Sequence, residues 1–146
     1  MKIEYIKGDL FTTDIKYIVH GCNDQGAMGS GVAKTIREKY TEAYKQYVLK
    51  WRDFGLKLGE VQYVETNGKV IVNAISQDNY GRDGRRYVSY EAITDIMKTL
   101  EKDLSGKIDS IAMPQIGAGL GGGDWNIISE IIEKELISIQ PVVYIL

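Results

Sequence analysis

An α/β domain with helices on both faces of a mostly parallel sheet is predicted by three observations. Strand-like and helix-like segments alternate along most of the 146 residues. The segments at 16–20 and 108–113 are short runs dominated by apolar residues, as strands buried on both faces require. Glycines gather in two clusters, Gly26, Gly29 and Gly31, then Gly117, Gly119, Gly121, Gly122 and Gly123, each after such a strand and before a helix-like run.

The elements follow in order. MKIEYI alternates apolar and polar residues and meets Gly8-Asp9, so it reads as a short strand ending at a turn. Lys16 to His20 is a buried strand stopped by the first glycine cluster. From Gly31, apolar positions recur at spacings of three and four through Ile36, Tyr40, Ala43, Tyr47 and Val48, which predicts a helix with a break near Thr41. Glu60–Glu65 and Lys69–Ile75 are strands joined at Asn67-Gly68, a pair suited to hairpin turns. Ser76 to Arg86 is a polar loop, and Tyr87 to Leu104 presents Tyr90, Ile93, Ile96, Met97 and Leu100 on one helical face. Ile108–Met113 is a strand closed by Pro114. Asp124 stands where an N-cap would precede the run Trp125 to Ile132, and Pro141–Leu146 is a final apolar strand.

Composition removes several function classes. Eighteen basic residues against 20 acidic ones leave a net charge of −2, which gives no general attraction for nucleic acid or an anionic membrane. One cysteine, Cys22, and one histidine, His20, cannot build a disulfide framework or a structural zinc site. No signal-like segment and no run of roughly 20 apolar residues occurs, so a cytoplasmic protein is expected.

Glycine at a strand-to-helix turn lets backbone amides approach phosphate oxygens closely, and two such loops could hold a diphosphate from opposite sides. The bland alternative is that the glycines only permit sharp turns. No Gly-Lys-Ser/Thr follows either cluster, which disfavours a nucleoside triphosphatase. Gly117, Gly119 and Gly122 spell a G-x-G-x-x-G, but only one strand follows, too little chain for a dinucleotide-binding fold. A cysteine-phosphatase loop would need arginine at position 28, where Met28 stands. Cys22 therefore reads as a small buried thiol, and no metal or cofactor is implied.

Three motifs together, Gly8-Asp9-Leu10-Phe11, IVHGCNDQGAMGSGVA from Ile18 to Ala33, and MPQIGAGLGGGDW from Met113 to Trp125, resemble the macrodomain family, whose fold binds ADP-ribose. The resemblance spans nearly the whole chain and implies a single three-layer α/β/α macrodomain over 1–146 with a mixed, mostly parallel central sheet. It is nearest to the branch holding the yeast-type ADP-ribose 1″-phosphate phosphatase and the terminal ADP-ribose glycohydrolase, because His20, Cys22, Asn23, Gly26, Gly29, Gly31 and Ala33 fall in register with the phosphatase-like pattern.

The ligand contacts the resemblance implies are Asp9, Leu10, Cys22, Asn23, Gly29, Ser30, Gly31, Val32, Gln77, Ile116, Gly117, Ala118, Gly119, Leu120, Gly121, Gly122 and Tyr144. Asp9 would accept a hydrogen bond from the adenine amine, or serve as a turn residue. Asn23 would bond a distal-ribose hydroxyl, and the second glycine loop would wrap the diphosphate. Tyr144 suits adenine packing and plain core packing alike.

His20, Asn23 and Asp124 are the catalytic candidates. His20, at a predicted strand end, is either a general acid, base or nucleophile, or a histidine satisfied by backbone. Asp124 is either an N-cap or a carboxylate that orients water. Arg82, Arg85 and Arg86 either bond a terminal phosphate or are solvated, and Ser89 and Tyr90 either donate hydroxyls or cap and pack a helix. The glycohydrolase branch relies on a strand-end lysine and an aspartate in the second loop. Here those positions are Gln77 and Gly121, and a carboxamide forms no covalent lysyl intermediate.

The expected function is hydrolysis of ADP-ribose 1″-phosphate to ADP-ribose and phosphate. The alternatives are a non-catalytic ADP-ribose reader and a lysine-independent ADP-ribosyl hydrolase. The expected partner is ADP-ribose or its 1″-phosphate, with nucleic acid entering only as an ADP-ribosylated substrate, no membrane partner, and a monomeric chain.

Overall fold

The computed structural model describes residues 1–79, 86–119 and 121–146. Its elements run β1 (Glu4–Lys7), a 3-10 turn (Leu10–Thr12), β2 (Tyr17–Asn23), α1 (Gly31–Lys39), α2 (Thr41–Phe54), β3 (Val61–Thr66), β4 (Lys69–Gln77), α3 (Tyr90–Leu104), β5 (Ser110–Met113), α4 (Trp125–Glu135) and β6 (Gln140–Ile145). The sheet order is β1-β6-β5-β2-β4-β3. Every neighbouring pair is parallel except the β3–β4 hairpin, so the predicted mixed, mostly parallel sheet is what forms.

Alternation along the strands divides the core in two. Val19, Val72, Ile111 and Met113 face α3 and α4, where Ile93, Ile96, Met97, Ile128 and Ile132 meet them. Ile18, Ile71, Ile75 and Ala112 face α1 and α2, packing on Ile36, Ala43 and Tyr47. The helix break falls at Tyr40, which caps α1 and starts α2. Among the described residues no helix is long and apolar enough to cross a membrane.

Several boundaries differ from expectation: β4 runs on to Gln77, taking in Ser76 and Gln77 from the expected loop, and β5 starts at Ser110 instead of Ile108. The second strand does not stop at His20, because Gly21 and Cys22 still pair with Ala74 and Ile75. His20 therefore lies inside the strand and not at its end. The third helix starts at Tyr90 and not at Tyr87: Val88 bridges Gln77, and the amides of Tyr87 and Val88 both donate to Gly121 O, at 2.7 and 3.0 Å. Ser89 then caps the helix, its hydroxyl accepting from Ala92 N at 3.1 Å.

Candidate functional site

Parallel pairing brings the C-terminal ends of β1, β6, β5, β2 and β4 to one edge of the sheet, where an open α/β sheet leaves a crevice. A cavity of about 640 Å³ occupies that edge, within the range of small-molecule sites. Of the residues singled out in the sequence, His20, Cys22, Asn23, Gly29, Ser30, Gly31, Val32, Gln77, Ile116, Gly117, Gly119 and Gly121 line it. Gly21, Ala27, Ala33, Pro114 and Gln115 line it as well, without having been singled out as contacts.

The loop after β2 is organised by one carboxamide. Asn23 Oδ1 accepts from Gln25 N at 2.9 Å and Ala27 N at 3.3 Å, and Asn23 Nδ2 donates to Ala27 O at 2.7 Å. The buried Tyr47 hydroxyl lies 2.6 Å from Asn23 O and 2.8 Å from its Oδ1. Asn23 thus spends most of its capacity shaping the loop, with one N–H of Nδ2 beyond those bonds. Gly26, at φ +75°, lies against Trp51, whose ring a Cβ would approach to 2.6 Å. The loop delivers the chain to α1, whose N-cap Ser30 makes no side-chain capping bond. First-turn amides without a cap, in a stretch that lines the cavity, form an anion-seeking wall.

The opposite wall is the loop after β5. Gly117 sits at φ +80°, with Val88 Cγ2 only 2.8 Å from where a Cβ would stand. Its carbonyl accepts from Gly123 N at 2.9 Å, and Gly122 N donates to Gly119 O at 3.1 Å. Gly121 is held by the two amides from 87–88, with Gly117 O 2.7 Å from its would-be Cβ. This clamp was not legible from the glycine pattern, because it depends on the neighbouring connection before α3.

β4 carries a bulge at the cavity: Cys22 pairs with Ile75 but Asn23 with Gln77, leaving Ser76 as the extra residue. A bulge re-aims the side chain that follows it, here Gln77, which lines the site. Ser76 is fully buried and its Oγ has no hydrogen-bond partner among the described residues. An unsatisfied hydroxyl costs about 1–3 kcal/mol, so Ser76→Ala is expected to raise stability by about 1 kcal/mol in urea unfolding. A loss of stability would show that Ser76 has a partner the structure does not contain.

His20 is 1% exposed. Its Nε2 lies 2.7 Å from Oδ1 of Asn73, the residue opposite it on β4. Burial lowers the imidazole pKa from the ordinary 6.5 to about 4, against the opposing hydrogen bond to Asn73. Burial therefore favours the neutral ring at physiological pH, the form that keeps a lone-pair acceptor. Burial also pushes the Cys22 thiol up, far from the thiolate a nucleophile needs.

The other candidates lie outside the cavity wall. Asp9 is exposed and caps the 3-10 turn, its Oδ1 accepting from Phe11 N at 2.9 Å. Leu10 is buried in the α1–α2 core, and Tyr144 packs beside that core with its hydroxyl 2.8 Å from Thr13 Oγ1. Ala118 and Gly122 belong to the second loop without lining the cavity. Asp124 is the N-cap of α4, accepting from Asn126 N at 2.9 Å, while its own amide donates to the Tyr90 hydroxyl. Of its two readings the structure supplies the cap. Arg86 lies over the Tyr90 ring, 4.5 Å from its centroid. Arg82, Arg85 and Leu120 lie outside the described residues.

Comparison with known proteins agrees with this architecture. A chain from Bacteroides thetaiotaomicron, described as a protein of unknown function, superposes with a TM-score of 0.88 at 32% identity, covering 100% of this chain and 99% of that one. The ADP-ribose 1″-phosphate phosphatase of Debaryomyces hansenii is 30% identical over 166 residues, covering 90% of this chain and 93% of the enzyme. A DNA ADP-ribosyl glycohydrolase of Mycobacterium bovis is 27% identical over 140 residues, which cover 93% of this chain but 38% of that protein. The Macro domain family model matches residues 19–132, a stretch that begins inside β2 and ends in α4 and so takes in both glycine loops. With both loops at one strand edge, the chain belongs to the Macro domain family.

Proposed function

We propose that the cavity binds ADP-ribose and that the chain hydrolyses ADP-ribose 1″-phosphate. The observation that carries the binding part of this reading is the character of the walls. Among the described residues lining the cavity there is no lysine, arginine, aspartate or glutamate, and the two facing loops present glycine-rich backbone. Such walls suit a diphosphate held by amide donors, which discriminate by geometry without a fixed counter-charge.

Hydrolysis of a phosphate monoester asks mainly for positioning and for donors aimed at the phosphoryl oxygens. In the proposed reaction, water attacks phosphorus, the bond from phosphorus to the C1″ oxygen breaks, and one proton of the water passes to that oxygen, giving ADP-ribose and inorganic phosphate. The neutral His20 offers a lone pair that orients the attacking water, and Gln77, opposite Asn23 at the end of β4, lines the same cavity. A route through a covalent lysyl intermediate has no nucleophile at Gln77. The likeness to the yeast phosphatase over most of both chains supports the same reading.

The test is inorganic phosphate release from ADP-ribose 1″-phosphate by the purified chain, beside ADP-ribosylated DNA and ADP-ribosylated protein. Phosphate is expected from the first substrate only. The neutrality of the walls also favours a second reading, a module that binds ADP-ribose without turnover. Calorimetric binding without phosphate release would select it, and no binding would overturn both.

A further inference from the structure

His20 lines the cavity with one of its ring nitrogens held by a short hydrogen bond, and the structure decides which. Asn73 is fully buried on β4, in register with His20. Its Nδ2 donates to Ala43 O at 3.1 Å and to Gln62 Oε1 at 3.0 Å. Gln62 is oriented in turn, its Nε2 donating to Gln46 O at 3.0 Å. Both ends of this chain rest on backbone carbonyls of α2, which only accept. Turning the Asn73 amide over would set its oxygen against Ala43 O and Gln62 Oε1, replacing two donor–acceptor contacts with acceptor–acceptor ones.

Asn73 Oδ1 must therefore face His20 as an acceptor, and the His20 nitrogen 2.7 Å away must carry the proton. Among the described residues, the Cys22 sulfur is the other group near the ring, 3.5 Å from Nε2 and 3.9 Å from Nδ1; it is a weak partner on either side and leaves the 2.7 Å bond to Asn73 as the one that sets the tautomer. The titratable neighbours do not compete for the proton: burial holds Cys22 protonated, and it does the same for Tyr47 next to Cys22.

We propose that Asn73 is a positioning residue, fixing His20 as the Nε2–H tautomer so that Nδ1 is kept as an acceptor for a hydroxyl of the bound sugar or for its attacking water. This deepens the proposed function and rests on it only for the identity of the donor that Nδ1 meets.

Because the chain has a single histidine, its imidazole nitrogens give one unambiguous pair of signals in long-range 1H–15N spectra. The wild-type chain at neutral pH is expected to show a protonated Nε2 and a bare Nδ1, and adding ADP-ribose is expected to shift Nδ1 alone. A protonated Nδ1, or a mixture of tautomers, overturns the proposal. Asn73→Asp keeps an acceptor facing Nε2 but adds a negative charge, which draws a second proton onto the ring. With that variant, a protonated Nδ1 is expected together with about a 100-fold loss of phosphate release, and about a tenfold loss of ADP-ribose affinity if the wild type releases none. A protonated Nδ1 with both readouts unchanged overturns the proposal. The tautomer is read whether or not phosphate is released, so its failure is distinct from failure of the phosphatase reading.

Discussion

Gly121→Ala is expected to weaken ADP-ribose binding by at least about 100-fold in calorimetry, close to 3 kcal/mol. A Cβ there would stand 2.7 Å from Gly117 O and 3.2 Å from Gln77 Oε1. The first of these is backbone and is already committed to Gly123 N, so it cannot yield without opening the loop. The Gly121 carbonyl must also hold the amides of Tyr87 and Val88, which couples the cavity wall to the connection that leads into α3. The added methyl therefore disturbs two anchors at once, while the core clusters are untouched. A melting temperature within about 5 °C of wild type is expected beside the binding loss, an effect of about 1 kcal/mol in a chain of this size. Full affinity in the alanine variant would mean that this loop does not hold the ligand.

The second large effect is an acid limb in the stability curve that belongs to one residue. His20 binds a proton near pH 6.5 when unfolded and near 4 when folded. Between those values the unfolded state holds more protons, so stability rises with pH, is fully present above about 6.5 and is lost as the pH falls to about 4. From pH 7 to pH 5 the loss attributable to this imidazole is about 2 kcal/mol. The carboxylates whose pKa is lowered, Asp24 and Glu101, respond at lower pH and leave this window to His20. Urea unfolding at the two pH values measures the loss directly. In His20→Asn the difference should shrink to a few tenths of a kcal/mol, and an unchanged pH dependence in that variant would place the acid limb elsewhere.

Periodicity and punctuation made most of the architecture legible. The helix break at Tyr40, the Asn67-Gly68 hairpin and the Asp124 cap are local events, each decided by a few neighbouring residues. The glycine clusters announced their loops for the same reason. What stayed hidden is long-range. Nothing near Ser76 in the chain declares that it will be an extra residue in a ladder with β2, and nothing near Tyr87 shows that its amide will clamp Gly121. Asn73 did leave a trace, as a polar residue inside the apolar run Val70–Ile75. A polar group in a strand buried on both faces needs a partner, but naming His20 required the β2–β4 register. For Asp9 and Tyr144 the motifs left a ligand contact beside a structural role, and the folded chain shows the structural one, with Asp9 in a turn and the Tyr144 hydroxyl tied to Thr13.

The glycine-rich walls have a consequence for how such proteins diverge. An anion held by peptide groups depends on the path of the chain and hardly on the side chains along it. Substitution elsewhere can then change the chemistry at the far end of the ligand without rebuilding the grip on its middle. A scaffold of this kind separates the inheritance of a ligand from the inheritance of a reaction, so a shared cradle carries little information about what is done to the molecule it holds. The residues that would carry that information sit apart from the glycines, within the second half of β2 and at the end of β4.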